Sequence, residues 1–276
     1  MRIRMNILRG AEPPQTHENS GLGCLPHIQM PLECSNEIEA IGVRFLPGLQ
    51  RGRETKMVQS ETVNAAGAAE ILDFEKVRSA KLVTQPFDYL IASSFIRPQW
   101  RAGLIADYPA IKKGGSFPLP TVKSGPEFSQ LIQALDGVEF RQVVEEKFAV
   151  ALGDRPTMFT VRGHCRRRDG KIHTDTESKI ITVLLYMNTA WAAPGGRLRL
   201  LHSGTNIDDV AAEVSPTFGN LLIFRRCGHS FHGHLPFEGE RRVIQMNWVT
   251  SQEFLNREAK RHGWTALIKK LRFAYS

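Results

Sequence analysis

The sequence predicts an α+β protein that is mainly β, a sandwich or barrel of short strands backed by helices. From residue 157 onward, apolar runs of strand length recur at intervals of roughly 8–12 residues, separated by Gly, Pro and Asn. Upstream, apolar residues recur at helical spacing behind prolines suited to a first helical turn. The run 180–187 (IITVLLYM) is apolar at both alternating sets of positions, which fits a strand covered on both faces.

At 276 residues and 42% hydrophobic content, the chain can bury a substantial core, with one domain of about 200 residues plus extensions. Residues 1–56 hold Pro13-Pro14, a Gly/Ser/Asn stretch and scattered charge without a sustained period, and read as a disordered or mis-started extension, Met57 being an alternative first residue. Residues 57–156 form a helical support region with the first strand. Within it, 65–80 predicts a short helix through Ala68, Ile71, Leu72 and Val77, and 89–92 a strand. Pro98 opens a helix to 107, Pro126 opens another to 135, and 138–152 carries Phe140, Val143, Val144, Phe148 and Leu152 along one face.

Residues 157–250 form the β core, with strands at 158–161, 180–187, 197–201, 219–224 and 242–249. In the last of these, Arg242, Ile244, Met246 and Trp248 share one face, and Val243, Gln245 and Asn247 the other. This parity puts Arg242, rather than Arg241, on the more apolar face. Residues 251–276 predict a basic amphipathic helix that docks on its own core, with homodimerisation as the alternative.

The net charge is +8, and much of the excess is arginine beside the region 171–249. Such arginines either protect strand edges or form an electropositive mouth for an anionic substrate. No run of 18 apolar residues and no apolar segment of a signal peptide is found, so a cytoplasmic location without membrane contact is expected. The four cysteines, Cys24, Cys34, Cys165 and Cys227, form no CxxC pair and are expected as reduced thiols.

Chemistry concentrates in 171–249. In an extended segment His173 and Asp175 project to one side while Thr174 turns away. With a distant histidine, His232, they make a two-histidine, one-carboxylate set, the facial arrangement of non-haem iron(II) oxygenases, which leaves three coordination positions open. A His-x-Asp pair alone is a weak signal. Its combination with His232 and Arg242 is stronger, because an arginine at the end of an apolar strand face needs an anionic partner and its fork fits a dicarboxylate. His229 or His234 could stand in for His232, and Arg241 for Arg242. Tyr186 and Asn188 either line the cosubstrate pocket or cap the buried strand, and Arg162 either contacts a substrate anion or lies on the surface. Zinc on the same three ligands is the alternative metal, but this leaves Arg242 unexplained.

His173-x-Asp175, the LLYMN run at 184–188, Gly195-Gly196, GNLLIF at 219–224, and His232 with Pro236 and Arg242 resemble the iron(II)/2-oxoglutarate-dependent dioxygenases of the prolyl-4-hydroxylase-like branch. This resemblance spans about 87–249 and implies a double-stranded β-helix, the cupin-like jelly roll. It implies iron on His173, Asp175 and His232, the distal carboxylate of 2-oxoglutarate on Arg242, and O2 as the second cosubstrate, with ascorbate as accessory reductant. The implied reaction hydroxylates a prolyl or other amino-acid side chain, or an anionic small molecule, and converts 2-oxoglutarate to succinate and CO2. A nucleic-acid substrate is disfavoured, because the strand after Arg242 lacks the second arginine expected of that branch. A non-catalytic jelly-roll binding or sensor module is the alternative.

Overall fold

The strand 180–187 organises the molecule, and its two apolar faces explain why. The computed structural model describes residues 70–261. In chain order these form α1 (Phe74–Ser79), β1 (Tyr89–Ala92), α2 (Arg101–Asp107), β2 (Phe117–Pro118), α3 (Pro126–Asp136), α4 (Val138–Phe148) and β3 (Thr157–Cys165). Then follow β4 (Lys179–Tyr186), β5 (Leu198–Leu201), β6 (Val210–Val214), β7 (Leu221–Arg225), β8 (His232–Gly233), β9 (Gly239–Val249) and α5 (Gln252–Arg261). A six-stranded sheet has the order β1-β7-β4-β9-β3-β2, and a three-stranded sheet the order β6-β5-β8. Every strand pair is antiparallel.

From β4 the chain passes to the small sheet for β5 and β6, returns for β7, crosses again for β8 and returns for β9. This repeated crossing is the winding of a jelly roll, the fold expected from the sequence. Facing residues of the two sheets, Leu184, Tyr186, Leu222, Phe224 and Val243 with Leu198, Leu200 and Val214, form one buried cluster. The alternate residues of the large sheet, Ile181, Val183, Leu185, Leu221, Ile223, Ile244, Met246 and Trp248, join a second cluster with Phe74, Phe128, Leu131, Phe140 and Val144 of the helices. Both faces of the central strands are thus covered, which explains the continuous apolar run. Strands of the support region also complete the large sheet, β1 on β7 and β2 on β3.

The helices begin and end for local reasons. Pro126 occupies the first turn of α3 behind Gly125, and the Asp107 carboxylate accepts the Glu127 N–H at 2.7 Å, capping α3 from the end of α2. α4 stops at Phe148, short of 152, because Ala149 adopts a left-handed conformation (φ 45°). The Glu145 carboxylate then accepts the N–H groups of Leu152 and Gly153. Pro98–Trp100 is a tight 3₁₀ turn leading into α2 rather than part of one continuous helix.

Of the helix expected over 65–80, the described part differs: Leu72 bridges to Ile96, and α1 starts at Phe74. The extension 1–56 lies outside the described residues, as do Cys24, Cys34 and the C-terminal helix beyond Arg261. Within α5, Phe254 is buried. No helix of the described residues is long and apolar enough to cross a membrane, and Cys165 and Cys227 are free thiols.

Candidate active site

His173 and His232 are brought together by the backbone. His173 donates its N–H to the His232 carbonyl at 3.0 Å, and His232 returns the bond at 3.0 Å. The imidazole centroids lie 4.3 Å apart. The chain can enter this pairing closely because Gly170, in a left-handed conformation (φ +85°), passes where an added Cβ would stand 2.3 Å from the His234 ring. Each imidazole then finds an orienting partner: Nδ1 of His173 lies 2.9 Å from the Lys171 carbonyl and Nδ1 of His232 lies 2.9 Å from the Ser230 carbonyl. A carbonyl only accepts, so Nδ1 is the protonated nitrogen of each ring, and Nε2 is the nitrogen left to offer a lone pair to a metal when the imidazole is neutral.

Asp175 completes the group, and the three side chains place ligand atoms within 4.8 Å of one another. A buried chain of polar groups holds the carboxylate: Gln245 Nε2 donates to Asn247 Oδ1 at 3.2 Å, and Asn247 Nδ2 donates to Thr182 Oγ1 at 2.8 Å. The Thr182 hydroxyl in turn donates to Asp175 Oδ2 at 2.5 Å. Lys179 Nζ donates to Oδ1 at 2.7 Å. Each carboxylate oxygen retains a further lone pair after these bonds. Burial alone would raise the Asp175 pKa, but Lys179, His232 and the hydrogen bonds of Lys179 and Thr182 hold it below the usual carboxylate range. Burial, then the neighbouring His173, push His232 down to about 4 against the pull of Asp175. One ionised carboxylate and a neutral buried imidazole are what a divalent metal needs of such a donor set.

These three side chains open into a cavity of about 490 Å³ between the sheets, lined also by Leu184, Leu198, Val243 and Gln245. On the same cavity Arg241 is 6% exposed, with Nε donating to the Gly196 carbonyl at 2.7 Å and Cζ 5.4 Å from the Tyr186 ring centroid. Among the described residues no carboxylate pairs with it. The fully buried Tyr186 hydroxyl meets no group in hydrogen-bond geometry, although Arg241 lies close enough to act on it. Burial pushes the Tyr186 pKa up, and Arg241 works against that. A buried, unpaired guanidinium beside an orphaned hydroxyl fits an incoming carboxylate.

Arg242 does not reach this cavity. Its guanidinium turns to the helix side of β9, donating to the Ile105 carbonyl at 3.3 Å and pairing with Glu240 at 3.1 Å. The cavity face of β9 is the more polar set, Arg241, Val243, Gln245 and Asn247, whereas Ile244, Met246 and Trp248 face the helices. Asn188, expected at the cosubstrate, instead ties backbone together: Oδ1 accepts the Arg242 N–H at 2.7 Å, and Nδ2 donates to the Pro216 and Arg242 carbonyls. That clamp fixes which way Arg242 points. His229 is exposed. His234 lines the cavity but directs Nε2 toward Cys165 Sγ at 3.8 Å. Thr182, Lys179, Gln245 and Asn247 were not singled out from the sequence; Gln245 and Asn247 share parity on β9, but a register shift between Lys179 and Ile181 breaks any parity that would link Lys179 to Thr182.

Residues 161–250 match the family model of the 2OG-Fe(II) oxygenase superfamily. No curated protein sequence matches the chain. Among solved structures, a prolyl-4-hydroxylase from Pseudomonas putida is 18% identical (TM-score 0.43), covering 67% of this chain and 95% of its own. A prolyl 4-hydroxylase from Phytophthora capsici is 16% identical (TM-score 0.44), covering 76% and 75%. The viral collagen prolyl hydroxylase of Paramecium Bursaria Chlorella virus-1, in its 2OG complex, is 14% identical (TM-score 0.41), covering 59% and 96%. The matched segment 161–250 holds the two histidines, the carboxylate and Arg241, and over that segment the chain is similar to the 2OG-Fe(II) oxygenase superfamily.

Proposed function

We propose that His173, Asp175 and His232 hold iron(II), that Arg241 holds the distal carboxylate of 2-oxoglutarate, and that the chain hydroxylates an amino-acid side chain, prolyl foremost, or an anionic small molecule. The observation that carries this reading is the shared cavity: three convergent metal donors and, apart from them, a buried guanidinium without a carboxylate partner. With iron(II) bound, the site supplies O2-dependent decarboxylation of 2-oxoglutarate to succinate and CO2, coupled to hydroxylation of a substrate C–H bond. The protein's share is positioning. Lys171 and Ser230 carbonyls orient the imidazoles, Thr182 and Asn247 orient the carboxylate, and Arg241 fixes the end of the cosubstrate. Val243, Leu184 and Leu198 give the cavity an apolar wall that limits water. Exposed Arg168 and Lys171 at its mouth support an anionic or peptidyl substrate.

The test is succinate formation by the purified protein under air with iron(II), 2-oxoglutarate and ascorbate. Succinate is expected from the unmodified chain and not from His173→Ala or Arg241→Leu. Binding of 2-oxoglutarate with no turnover under any substrate tried would instead make the jelly roll a binding module.

A further inference from the structure

We infer that Arg162 is a second anchor for the distal carboxylate of 2-oxoglutarate, so that the cosubstrate is gripped by two guanidinium groups, Arg162 and Arg241, instead of one. This rests on the cosubstrate reading above and extends it to a residue on another strand.

Strand register puts Arg162 in place. Arg162 of β3 pairs with Val243 of β9, and Val243 pairs with Tyr186 of β4. Residues opposite one another in such ladders share a face, so Arg162, Val243 and Tyr186 form one row across the cavity side of the sheet. Arg241 precedes Val243 by two positions and shares that face. The ladder shifts register between Arg162 and His164, opposite Arg241 and Arg242, yet Arg241 stays on the cavity side and its charge acts on Arg162, so one carboxylate entering there can meet both guanidinium groups. Both line the cavity.

Arg162 also lacks the partner that a half-buried cation needs. Among the described residues its guanidinium makes no ion pair or side-chain hydrogen bond. The cavity's two carboxylates are taken: Asp169 receives Arg166 through Nε and Nη2 at 3.0–3.3 Å, and Asp175 receives Lys179 and Thr182. Burial, followed by the like charge of Arg241, lowers the Arg162 pKa, and Asp169 only partly offsets this from a distance. Two like charges left facing one cavity are costly until an anion enters.

The cosubstrate end, not the metal end, is where Arg162 acts. Its charge is felt by Tyr186, Cys165 and His234, as is that of Arg241. The groups acting on Asp175 and His232 are one another, His173, Lys179, Thr182 and the Ser230 carbonyl.

The experiment is calorimetric titration of the full chain loaded with Mn(II), using 2-oxoglutarate and, as a probe without the distal carboxylate, 2-oxobutyrate. Arg162→Met is expected to weaken 2-oxoglutarate binding about 10- to 100-fold, the range for a hydrogen bond to a charged group, and to leave 2-oxobutyrate within twofold. Without ligand, the same variant is expected to melt above the unmodified protein, because a buried repulsion is gone, and to gain less from 2-oxoglutarate. A merely structural role would lower the melting temperature and leave the preference between the two acids unchanged. If Arg162→Met fails to fold, Arg162→Gln is titrated in its place. Unchanged 2-oxoglutarate affinity in the folded variant, with Arg241→Leu impaired, overturns the second anchor alone. Equal affinity of the unmodified protein for the two acids overturns the cosubstrate reading and the second anchor together.

Discussion

The two faces of β9 are both buried, yet they serve different ends. On one, Ile244, Met246 and Trp248 pack against the helices, with Trp248 5.9 Å from the Phe140 ring. On the other, Arg241 and Gln245 line the cavity and Asn247 follows on the same face, donating to Gly196, Asn247 and Thr182 respectively. The helix face converts apolar area into stability. The cavity face holds polar groups that would cost stability unless they were paired. In a sheet covered on both sides, the polar residues of the inner strands mark the site, and the apolar residues mark what holds it.

Substitutions should separate the two faces. Trp248→Ala should cost about 3–5 kcal/mol of stability, measured by urea unfolding, while folded protein keeps its affinity for 2-oxoglutarate. Arg241→Leu should reverse that pattern: calorimetry should show roughly 100-fold weaker 2-oxoglutarate binding, about 3 kcal/mol, with the unfolding midpoint unchanged or raised. Thr182→Val removes the donor to Asp175 and leaves Asn247 Nδ2 unpaired; metal affinity should fall about 10- to 100-fold, read from competition with a chelating dye. Arg242→Leu breaks a partly exposed pair with Glu240 and should change stability by less than about 1 kcal/mol, leaving cosubstrate affinity as it was. Loss of 2-oxoglutarate binding in Arg242→Leu, with Arg241→Leu intact, would erase the distinction between the faces.

Much of this was legible from pattern. Extended parity and donor chemistry singled out His173, Asp175 and His232, and the structure brings them together. Apolar spacing located α3, α4, β4, β7 and β9 to within a few residues. Parity also separated Arg241 from Arg242 correctly, but hydrophobicity could not say which face met the cavity, because the helices needed the greasier one. Asn188 was equally ambiguous: an asparagine ending a buried strand can bond a ligand or the backbone, and only the fold brings Arg242 and Pro216 to it. β6 reads VAAEV and β8 spans two residues, so neither carries enough sequence to announce a strand. The chain Gln245–Asn247–Thr182–Asp175 joins residues distant in sequence, and no local period reveals it.

The paired main-chain bonds between His173 and His232 bear on how the proposed iron would be taken up. These bonds belong to the polypeptide itself, so the two histidine backbones are held side by side without an ion. Loading is then a docking event on a finished surface rather than a folding event, unlike that of small zinc modules that collapse only around their ion. If iron is held there as proposed, stripping it should leave an intact, reloadable protein whose activity tracks the iron supplied.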